Sequence, residues 1–155
     1  MKIEIKLHDE ACMPLISPNG DWIDLRSAED IIIEAPRVNV NTNQIELHTG
    51  LISLGVSMRL PEGFEAILAP RSSTFKNYGI VFSNSIGILD NSYNGTSDIW
   101  RVPFIGLKPG VIKKGDRIAQ FRVQKSQFMK RKIEFKVVDK LSEEDRGGFG
   151  TSGKQ

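Results

Sequence analysis

The chain has 155 residues, of which 39% are hydrophobic and 26% are charged, and its formal net charge is +2. This length supports one domain with its own core, and the composition excludes disorder of the whole chain. The net charge is too small to indicate a nucleic-acid-binding protein, so an anionic ligand would have to meet a local basic cluster.

Most of the chain alternates apolar and polar residues with a period of two, which is typical of half-buried strands. Turn-forming stretches, among them SPNGD, PEG, KPG and KKGD, separate these segments. One short helical turn is expected in RSSTFKNYG. Many short strands with regular turns predict an all-β fold, a barrel or sandwich of the jelly-roll kind. The predicted strands, in chain order, are KIEIKL, DIIIEA, QIELHT, LISLGVSMRL, FEAILAP, IVFSNSIGIL, RVPFIGL, DRIAQFRV and RKIEFKVV.

The residues that most often bind zinc or form disulfides are scarce. Cys12 is the one cysteine, which excludes an internal disulfide and a cysteine-built zinc site. His8 and His48 are far apart in the sequence and are predicted to be solvated strand or turn residues. Neither a signal peptide nor an apolar run long enough to span a membrane is found, so we expect a cytoplasmic protein.

Two segments in the first half of the chain carry charged residues in or next to predicted strands. Asp24 lies between apolar neighbours in WIDL, which places it either at a sheet edge or beside a cation. Arg71, Ser72 and Ser73 follow the strand FEAILAP. A guanidinium and two hydroxyls near the start of a helical turn suit phosphate oxygens. A helix N-cap beside a surface arginine is the alternative.

The segment SNSIGILDNSYNG combines a strand, a tight glycine-containing loop, a carboxylate and an aromatic ring. Asp90 and Tyr93 follow the strand, while Asn84 and Gly87 precede Asp90. An aspartate in a turn is commonly there for its local hydrogen bonds. With these neighbours, however, the segment predicts a small hairpin whose backbone groups bind a planar base while the aromatic ring packs on a sugar.

Two later segments allow both a structural and a functional interpretation. TSDIWRVPF, with Trp100 and Phe104, is either part of the core or a surface for a protein partner. Gln120 lies in a strand that is otherwise apolar at alternate positions, as an outward residue of a half-solvated sheet does. Asp116 and Arg117 are expected to be structural and to pair across the sheet or with the turn.

The composition changes after about Leu141, where a glycine-rich tail begins. We expect a β-barrel domain over 1–141 and a flexible arm over 142–155, because glycine leaves the backbone free to wrap around a ligand. Arg146 in this arm is suited to a terminal phosphate, and Phe149 is suited to stacking on a base. A frayed terminus is the alternative, and a single RGG without repeats disfavours an RGG-type nucleic-acid tail.

Taken in order, five of these segments resemble the five motifs of the trimeric dUTPase family, the dUTP diphosphatases. They run from about residue 21 to residue 153, which is most of the chain. The sequence departs from the usual pattern in DWID, in TSDIWRVPF and in the shorter spacing within the tail, a form that we associate with phage and Gram-positive bacterial members. The five segments are IDLRSAED, PRSS, GILDNSYNG, GDRIAQ and DRGGFGTSG.

The resemblance implies a distorted jelly-roll-like β-barrel that forms a homotrimer with active sites between subunits. It also implies hydrolysis of dUTP to dUMP and pyrophosphate, which keeps uracil out of DNA and supplies dUMP for dTMP synthesis. Asp90 would be the general base that activates the water attacking the α-phosphorus. Mg²⁺ would be bound mainly by the triphosphate and by water, with Asp24 reached through water.

The same resemblance implies how the nucleoside is recognised. Uracil would bind to the Asn84 side chain and to the backbone around Ile86, Gly87 and Ile88. The deoxyribose would pack on Tyr93, which would leave no room for a 2′-hydroxyl.

The triphosphate contacts implied by the resemblance come from two parts of the chain. Within the barrel they are Arg71, Ser72, Ser73 and Gln120. The arm would close over a neighbouring subunit's site once nucleotide is bound. It would place Arg146 at the γ-phosphate, Phe149 on uracil, and Thr151 and Ser152 at further phosphate oxygens.

Two other functions remain open on the sequence. A dCTP deaminase shares the scaffold, but its acid–base chemistry is expected to need a glutamate near the base pocket, and SNSIGILD has none. A β-scaffold that binds a protein partner, with or without catalysis, is the other, and a buried Trp100 would favour the core interpretation instead. Membrane and nucleic-acid partners are not expected.

Overall fold

The structure, a computed structural model, describes residues 1–127 and 133–141. In these ranges the chain forms fourteen strands, a 3-10 turn at Glu10–Cys12 and one helix, α1, at Thr74–Tyr78. No helix in the described ranges is long and apolar enough to cross a membrane. The strands are β1 (Glu4–Leu7), β2 (Leu15–Ile16), β3 (Ile23–Arg26), β4 (Ile31–Ile33), β5 (Arg37–Asn39), β6 (Gln44–Glu46), β7 (His48–Ser53), β8 (Val56–Arg59), β9 (Phe64–Pro70), β10 (Ile80–Phe82), β11 (Gly87–Leu89), β12 (Arg101–Gly106), β13 (Gly110–Ile112) and β14 (Arg117–Lys125).

Antiparallel sheets surround an apolar core. The largest sheet has five strands in the order β11-β9-β14-β3-β2, and a second has three in the order β10-β12-β7. The pairs β1-β8, β13-β4 and β5-β6 complete the described part. Alternate residues are buried, such as Ala66 and Leu68 in β9 and Val102 and Phe104 in β12. The all-β prediction is therefore confirmed.

The core contains both aromatic residues of the segment TSDIWRVPF, for which the sequence allowed two interpretations. Trp100 is 1% exposed and Phe104 is 3% exposed. The Trp100 ring packs edge-on against Phe121, with the ring centroids 5.2 Å apart and the planes at 82°. The core interpretation is confirmed, and this segment presents neither ring to a protein partner.

Four predicted strands differ in the structure. LISLGVSMRL is divided between β7 and β8, and QIELHT is divided between β6 and β7. IVFSNSIGIL divides into β10 and β11, because Ser85 adopts a left-handed φ of 60° and the Ile86 N–H donates to Asn84 O at 2.6 Å. The strand predicted for RKIEFKVV is wrong over residues 133–138, which form no strand. The first two residues of this segment lie outside the described ranges. A strand needs a hydrogen-bonded neighbour, and residues 133–138 pair with no strand in the described part of the chain.

The predicted helical turn is confirmed as α1. It ends at Gly79, which has a left-handed φ of 71° and whose N–H donates to Phe75 O at 2.9 Å. A Cβ at Gly79 would lie 2.4 Å from the Lys108 carbonyl oxygen, so this position requires glycine. Gly79 turns the chain directly into β10, so α1 stays short. The first turn of α1 lies near the end of β9, because only three residues separate them.

The register of the five-stranded sheet decides which side chains share its outer face. Gln120 of β14 lies opposite both Ala69 of β9 and Asp24 of β3. The adjacent residues Leu68 and Phe121 are buried in the core. Since successive strand residues point to opposite faces, Asp24, Ala69 and Gln120 lie on the face away from that core.

Candidate active site

A buried carboxylate, Asp24, binds two arginines at one end of the outer face. Asp24 is only 7% exposed. Arg71 Nε donates to Asp24 Oδ1 at 2.8 Å, and Arg117 Nη1 donates to Asp24 Oδ2 at 3.0 Å. Arg117 therefore pairs across the sheet as expected, and Asp24 has the cation partner that its apolar neighbours required. Two positive charges and one negative charge leave the cluster with one positive charge, which suits an anion such as phosphate.

Arg71 is held through its backbone as well as through its side chain. The Arg71 N–H donates to Thr74 Oγ1 at 2.9 Å, and the Thr74 hydroxyl donates to Ile118 O at 2.8 Å. Thr74 is fully buried at the start of α1. Ser73 is at the N-cap position, but its side chain forms no capping hydrogen bond. Thr74 was not singled out in the sequence analysis, because its partner on β14 is far away in the sequence.

Thr74→Val is expected to lower the free energy of unfolding by about 1–3 kcal/mol, because the Arg71 N–H and the Ile118 carbonyl lose a buried partner. Valine keeps the shape of threonine but has no hydroxyl. Chemical denaturation at one fixed protein concentration measures the change. Thr74→Ser, which retains the hydroxyl, should be less destabilised, and Thr42→Val in an exposed turn is the control. Equal stability of wild type and Thr74→Val would contradict the argument.

Gln120 belongs to the same cluster. Its Nε2 donates to Pro70 O at 3.0 Å, and its position lies opposite Asp24. In the turn that follows Pro70, Ser72 is exposed and Ser73 is half-buried. The side chains of the barrel that were predicted to bind phosphate therefore lie together at one end of the five-stranded sheet.

The segment predicted to bind a base does not form the expected hairpin, because β10 pairs with β12 while β11 pairs with β9. It instead places β11 at the edge of the five-stranded sheet. Since β11 pairs only with β9 in the described part of the chain, its other edge keeps N–H and C=O groups for a ligand. Ile86 and Ile88 are exposed beside these groups. Gly87 lies opposite Leu68, and a Cβ on Gly87 would be 3.4 Å from Leu68 Cβ and 3.7 Å from Asn84 Nδ2. Unpaired backbone groups next to apolar side chains suit a planar base.

Asp90 follows β11 directly, and the turn orients its carboxylate. Asp90 Oδ1 accepts hydrogen bonds from Ser92 Oγ–H at 2.5 Å and from the Ser92 N–H at 2.8 Å. The side-chain bond first, and then the backbone bond, lower the pKa of Asp90 below its ordinary value, because they stabilise the charged form. The carboxylate is therefore ionised at neutral pH, as a general base must be.

The Tyr93 ring lies beside this turn. The Tyr93 OH donates to Ile99 O at 3.1 Å, and the Tyr93 N–H donates to Asp90 O at 3.2 Å. The residue remains exposed although both of its polar groups are anchored. An exposed aromatic ring in a fixed position is suited to packing against a sugar.

The group around Asp24 and Arg71 and the group around Asp90 and Tyr93 do not meet within one chain. Leu89 lies opposite Ala66, so Asp90 follows at the level of Glu65, whereas Arg71 follows the other end of β9. The levels of Asp90 and Arg71 are separated by the six residue steps from 65 to 71, which is about 20 Å at about 3.3 Å per residue. Adjacent phosphates of one nucleotide span much less than this distance.

The donor set around Asp24 fits a metal ion that a nucleotide brings with it. The described residues contain no group of three or more His, Cys, Asp or Glu side chains that could hold a metal ion. Asp24 supplies the carboxylate of the cluster, and each of its oxygens already accepts a hydrogen bond from an arginine. Mg²⁺ prefers six oxygen ligands and retains much of its water, so Asp24 suits contact through water better than a protein-held metal site.

The predicted contacts in the C-terminal arm lie outside the described residues. These are Arg146, Phe149, Thr151 and Ser152, together with the arm as a whole over 142–155.

Comparison with known sequences gives a consistent result. A family model described as dUTPase matches residues 9–153. The chain is 45% identical over 154 residues to the SPbeta prophage-derived deoxyuridine 5′-triphosphate nucleotidohydrolase YosS of Bacillus subtilis, and the match covers 99% of each chain. It is 33% identical over 159 residues to the deoxyuridine 5′-triphosphate nucleotidohydrolase of a Hydrogenobaculum species, again over 99% of each chain.

Solved structures share the fold. The dUTPase from Streptococcus mutans aligns with a TM-score of 0.67 at 22% identity, over 83% of this chain and 98% of that chain. The Staphylococcus bacteriophage 80alpha dUTPase with dUpNHpp aligns with a TM-score of 0.71 at 20% identity, over 98% of each chain. A mutant dUTPase from phage phi11 of S. aureus, described with a structural Mg(II) ion, aligns with a TM-score of 0.68 at 18% identity, over 91% and 99%. These likenesses confirm the jelly-roll-like fold.

Proposed function

The chain belongs to the dUTPase family, and on that premise we propose that Asp90 is the general base of a dUTP diphosphatase. The enzyme hydrolyses dUTP to dUMP and pyrophosphate, which keeps uracil out of DNA and supplies dUMP for dTMP synthesis. The observation that supports the base assignment is the exposed, ionised Asp90 carboxylate, held in one orientation at the end of an edge strand. The proposed place of action is the cytoplasm, where the DNA precursors of a bacterial cell are found.

In the proposed reaction, Asp90 takes a proton from a water molecule as the water oxygen attacks the α-phosphorus. A new P–O bond forms, and the bond between the α-phosphorus and the oxygen bridging to the β-phosphorus breaks. Pyrophosphate leaves with that oxygen, and dUMP remains. A carboxylate with a lowered pKa is a weak base, so the contribution of Asp90 comes from its position more than from its basicity.

The free edge of β11 supports the proposed selectivity for uracil. The backbone around Ile86, Gly87 and Ile88, with the Asn84 side chain, hydrogen-bonds the pyrimidine edge. We expect this edge to leave no room for the thymine methyl group and to offer the wrong hydrogen-bonding pattern to the cytosine amino group. Sites that hydrogen-bond one substrate edge reject a mismatched one by about 10⁴- to 10⁵-fold in favourable cases. Tyr93 packs on the deoxyribose and excludes a 2′-hydroxyl.

The positive charge at the other end of the sheet supports the proposed phosphate site. Arg71, Ser72, Ser73 and Gln120 bind the phosphate oxygens, with the Arg71 guanidinium oriented by Asp24. Mg²⁺ supplies charge neutralisation between the phosphates when the nucleotide is bound. Asp24 would contact that ion through water.

The separation of about 20 Å between the levels of Asp90 and Arg71 supports active sites shared between the subunits of a homotrimer. In a shared site, Asp90 of one copy and Arg71 of another meet the same nucleotide. Residues 133–141 give a second reason, because Phe135 and Val137 are 95% and 94% exposed and alternate with charged residues as in a strand without a neighbour. Another copy of the chain would cover such apolar side chains.

The test of the proposed function is pyrophosphate release with Mg²⁺ from dUTP, compared with dTTP, dCTP and UTP. We expect cleavage of dUTP alone, since the three other nucleotides differ at the methyl group, the amino group or the 2′-hydroxyl. Ammonia release from dCTP, or cleavage of UTP at the rate of dUTP, would overturn the assignment.

A protein partner remains a prediction. The buried rings of Trp100 and Phe104 offer such a partner no surface.

The proposed arm over 142–155 leads to a separate prediction. Removal of residues 146–155 should lower kcat for dUTP by about 10²-fold or more, because a guanidinium at the γ-phosphate and the closure over the site are lost. The measurement is steady-state kinetics of the truncated and full-length proteins. Removal of residues 153–155 alone, which spares every proposed contact, is the control. Full kcat in the longer truncation would show that the arm plays no part in the chemistry.

A further inference from the structure

The two oxygens of the Asp90 carboxylate have different surroundings. Oδ1 accepts two hydrogen bonds, from Ser92 Oγ–H at 2.5 Å and from the Ser92 N–H at 2.8 Å. No hydrogen bond to Oδ2 is found within the described part of the chain, and the residue is exposed. An exposed aspartate otherwise samples several side-chain rotamers. Two donors from one residue hold this carboxylate in a single orientation, with Oδ2 open to a ligand or to water.

We propose that Ser92 is a positioning residue that fixes the Asp90 carboxylate so that Oδ2 is the oxygen that accepts the proton of the attacking water. This inference rests on the proposed role of Asp90 as the general base. Ser92 acts only through Asp90. A hydroxyl can both accept and donate hydrogen bonds, but the short contact to an ionised carboxylate requires Ser92 Oγ–H to donate.

The other charged groups near Asp90 do not stabilise its ionised form in place of Ser92. On β9, Glu65 lies at the level of Asp90, and its carboxylate accepts a hydrogen bond from Gln124 Nε2 at 2.8 Å. In the loop that follows, Asp98 Oδ2 accepts a hydrogen bond from the Gly95 N–H at 2.7 Å. Neither carboxyl group donates a hydrogen bond to Asp90, so neither stabilises its charged form. The donors of Ser92 are therefore the main groups in the described ranges that lower the pKa of Asp90, and the Tyr93 backbone N–H lowers it to a smaller extent.

Loss of the Ser92 hydroxyl is expected to change the pKa of Asp90 in a definite direction. In Ser92→Ala the ionised form of Asp90 loses its strongest hydrogen bond, so the pKa of Asp90 rises. The protonated, inactive carboxyl group then persists to higher pH, and the acidic limb of the kcat profile shifts to higher pH. At neutral pH, where Asp90 remains ionised, kcat falls by about 10-fold because the carboxylate is no longer held in place. KM for dUTP is expected to stay unchanged.

The experiment is the pH dependence of kcat and KM for dUTP in wild type, Ser92→Ala and Ser92→Thr. Threonine retains the hydroxyl and should restore both the rate and the position of the acidic limb. Ser97→Ala, in the same loop and exposed, is the matched control and should behave as wild type. In an Asp90→Asn background, Ser92→Ala should have no further effect on kcat, because a residue that acts through Asp90 has nothing left to position.

A carboxyl-carbon NMR titration of Asp90 in the full-length protein gives a readout that does not depend on turnover. The titration midpoint should move to higher pH in Ser92→Ala and not in Ser97→Ala. Identical titrations and identical kcat profiles for wild type and Ser92→Ala would overturn the role of Ser92, even if Asp90→Asn is inactive and the proposed function stands. Full turnover in Asp90→Asn would overturn the base assignment and the role of Ser92 together.

Discussion

Asp90→Asn is expected to lower kcat for dUTP by about 10²- to 10⁴-fold, the range over which a positioned general base contributes. Asparagine has almost the same shape as aspartate and keeps an oxygen for the Ser92 donors, but it cannot take a proton from water. The nucleotide contacts proposed for the edge of β11 and for Arg71 are untouched. The dissociation constant of a non-hydrolysable dUTP analogue should therefore change little while turnover is lost.

Steady-state kinetics and calorimetric titration of the analogue measure the two effects separately. Asp98→Asn is the matched control, because it makes the same chemical change in the same loop, where Asp98 accepts the Gly95 N–H at 2.7 Å. This control should retain most of its turnover. If Asp90→Asn hydrolysed dUTP at the wild-type rate, another group would have to be the base.

Arg71→Lys is expected to lower kcat/KM for dUTP by about 10²-fold, because a single ammonium nitrogen replaces the planar guanidinium with its several N–H donors. In wild type, Arg71 Nε binds Asp24 Oδ1 at 2.8 Å and Nη1 approaches Arg117 O at 3.3 Å, while Nη2 remains for a phosphate. A lysine ammonium that pairs with Asp24 reaches no phosphate, and one that reaches the phosphate leaves a buried carboxylate with a single cation. Either outcome weakens binding of the transition state.

The controls for Arg71→Lys separate phosphate binding from stability. Arg59→Lys changes an exposed arginine whose Nη1 lies 3.2 Å from Glu4, and such surface pairs contribute little. Its kcat/KM should match wild type. Denaturation of Arg71→Lys at a fixed protein concentration shows whether the fold is retained. A folded Arg71→Lys protein with kcat/KM close to wild type would remove Arg71 from the proposed phosphate site.

The candidate site could be predicted from the sequence only in separate pieces. Asp24, Arg71 and Gln120 were each weak indications on their own, and their order along the chain carried the resemblance to a family. The register of β3, β9 and β14 brings them together, because Gln120 lies opposite Asp24 and its amide reaches the residue before Arg71. That register depends on pairings between residues roughly 50 to 100 positions apart, which no local pattern contains.

The hydroxyls that hold the site were missed for a related reason. Serine and threonine are compatible with turns, caps and strands, so Ser92 and Thr74 gave no distinct signal. Their roles depend on which acceptor the folded chain places nearby. Ser92 finds Asp90 two residues away, whereas Thr74 finds the Ile118 carbonyl across the sheet. A local acceptor could have been anticipated for Ser92, but not the distant one for Thr74.

The sequence by itself determined the features that depend on neighbouring residues: period-two strands, the glycine that ends α1, and the turn that carries Asp90. Tertiary structure alone decided that Trp100 is in the core, that Asp24 binds two arginines, and that Asp90 and Arg71 follow opposite ends of β9. Within residues 1–127 and 133–141, the segment 133–138 has no strand partner, although its alternation predicted a strand. Alternation specifies which faces of a strand are apolar, but a strand forms only where another chain segment supplies the hydrogen bonds.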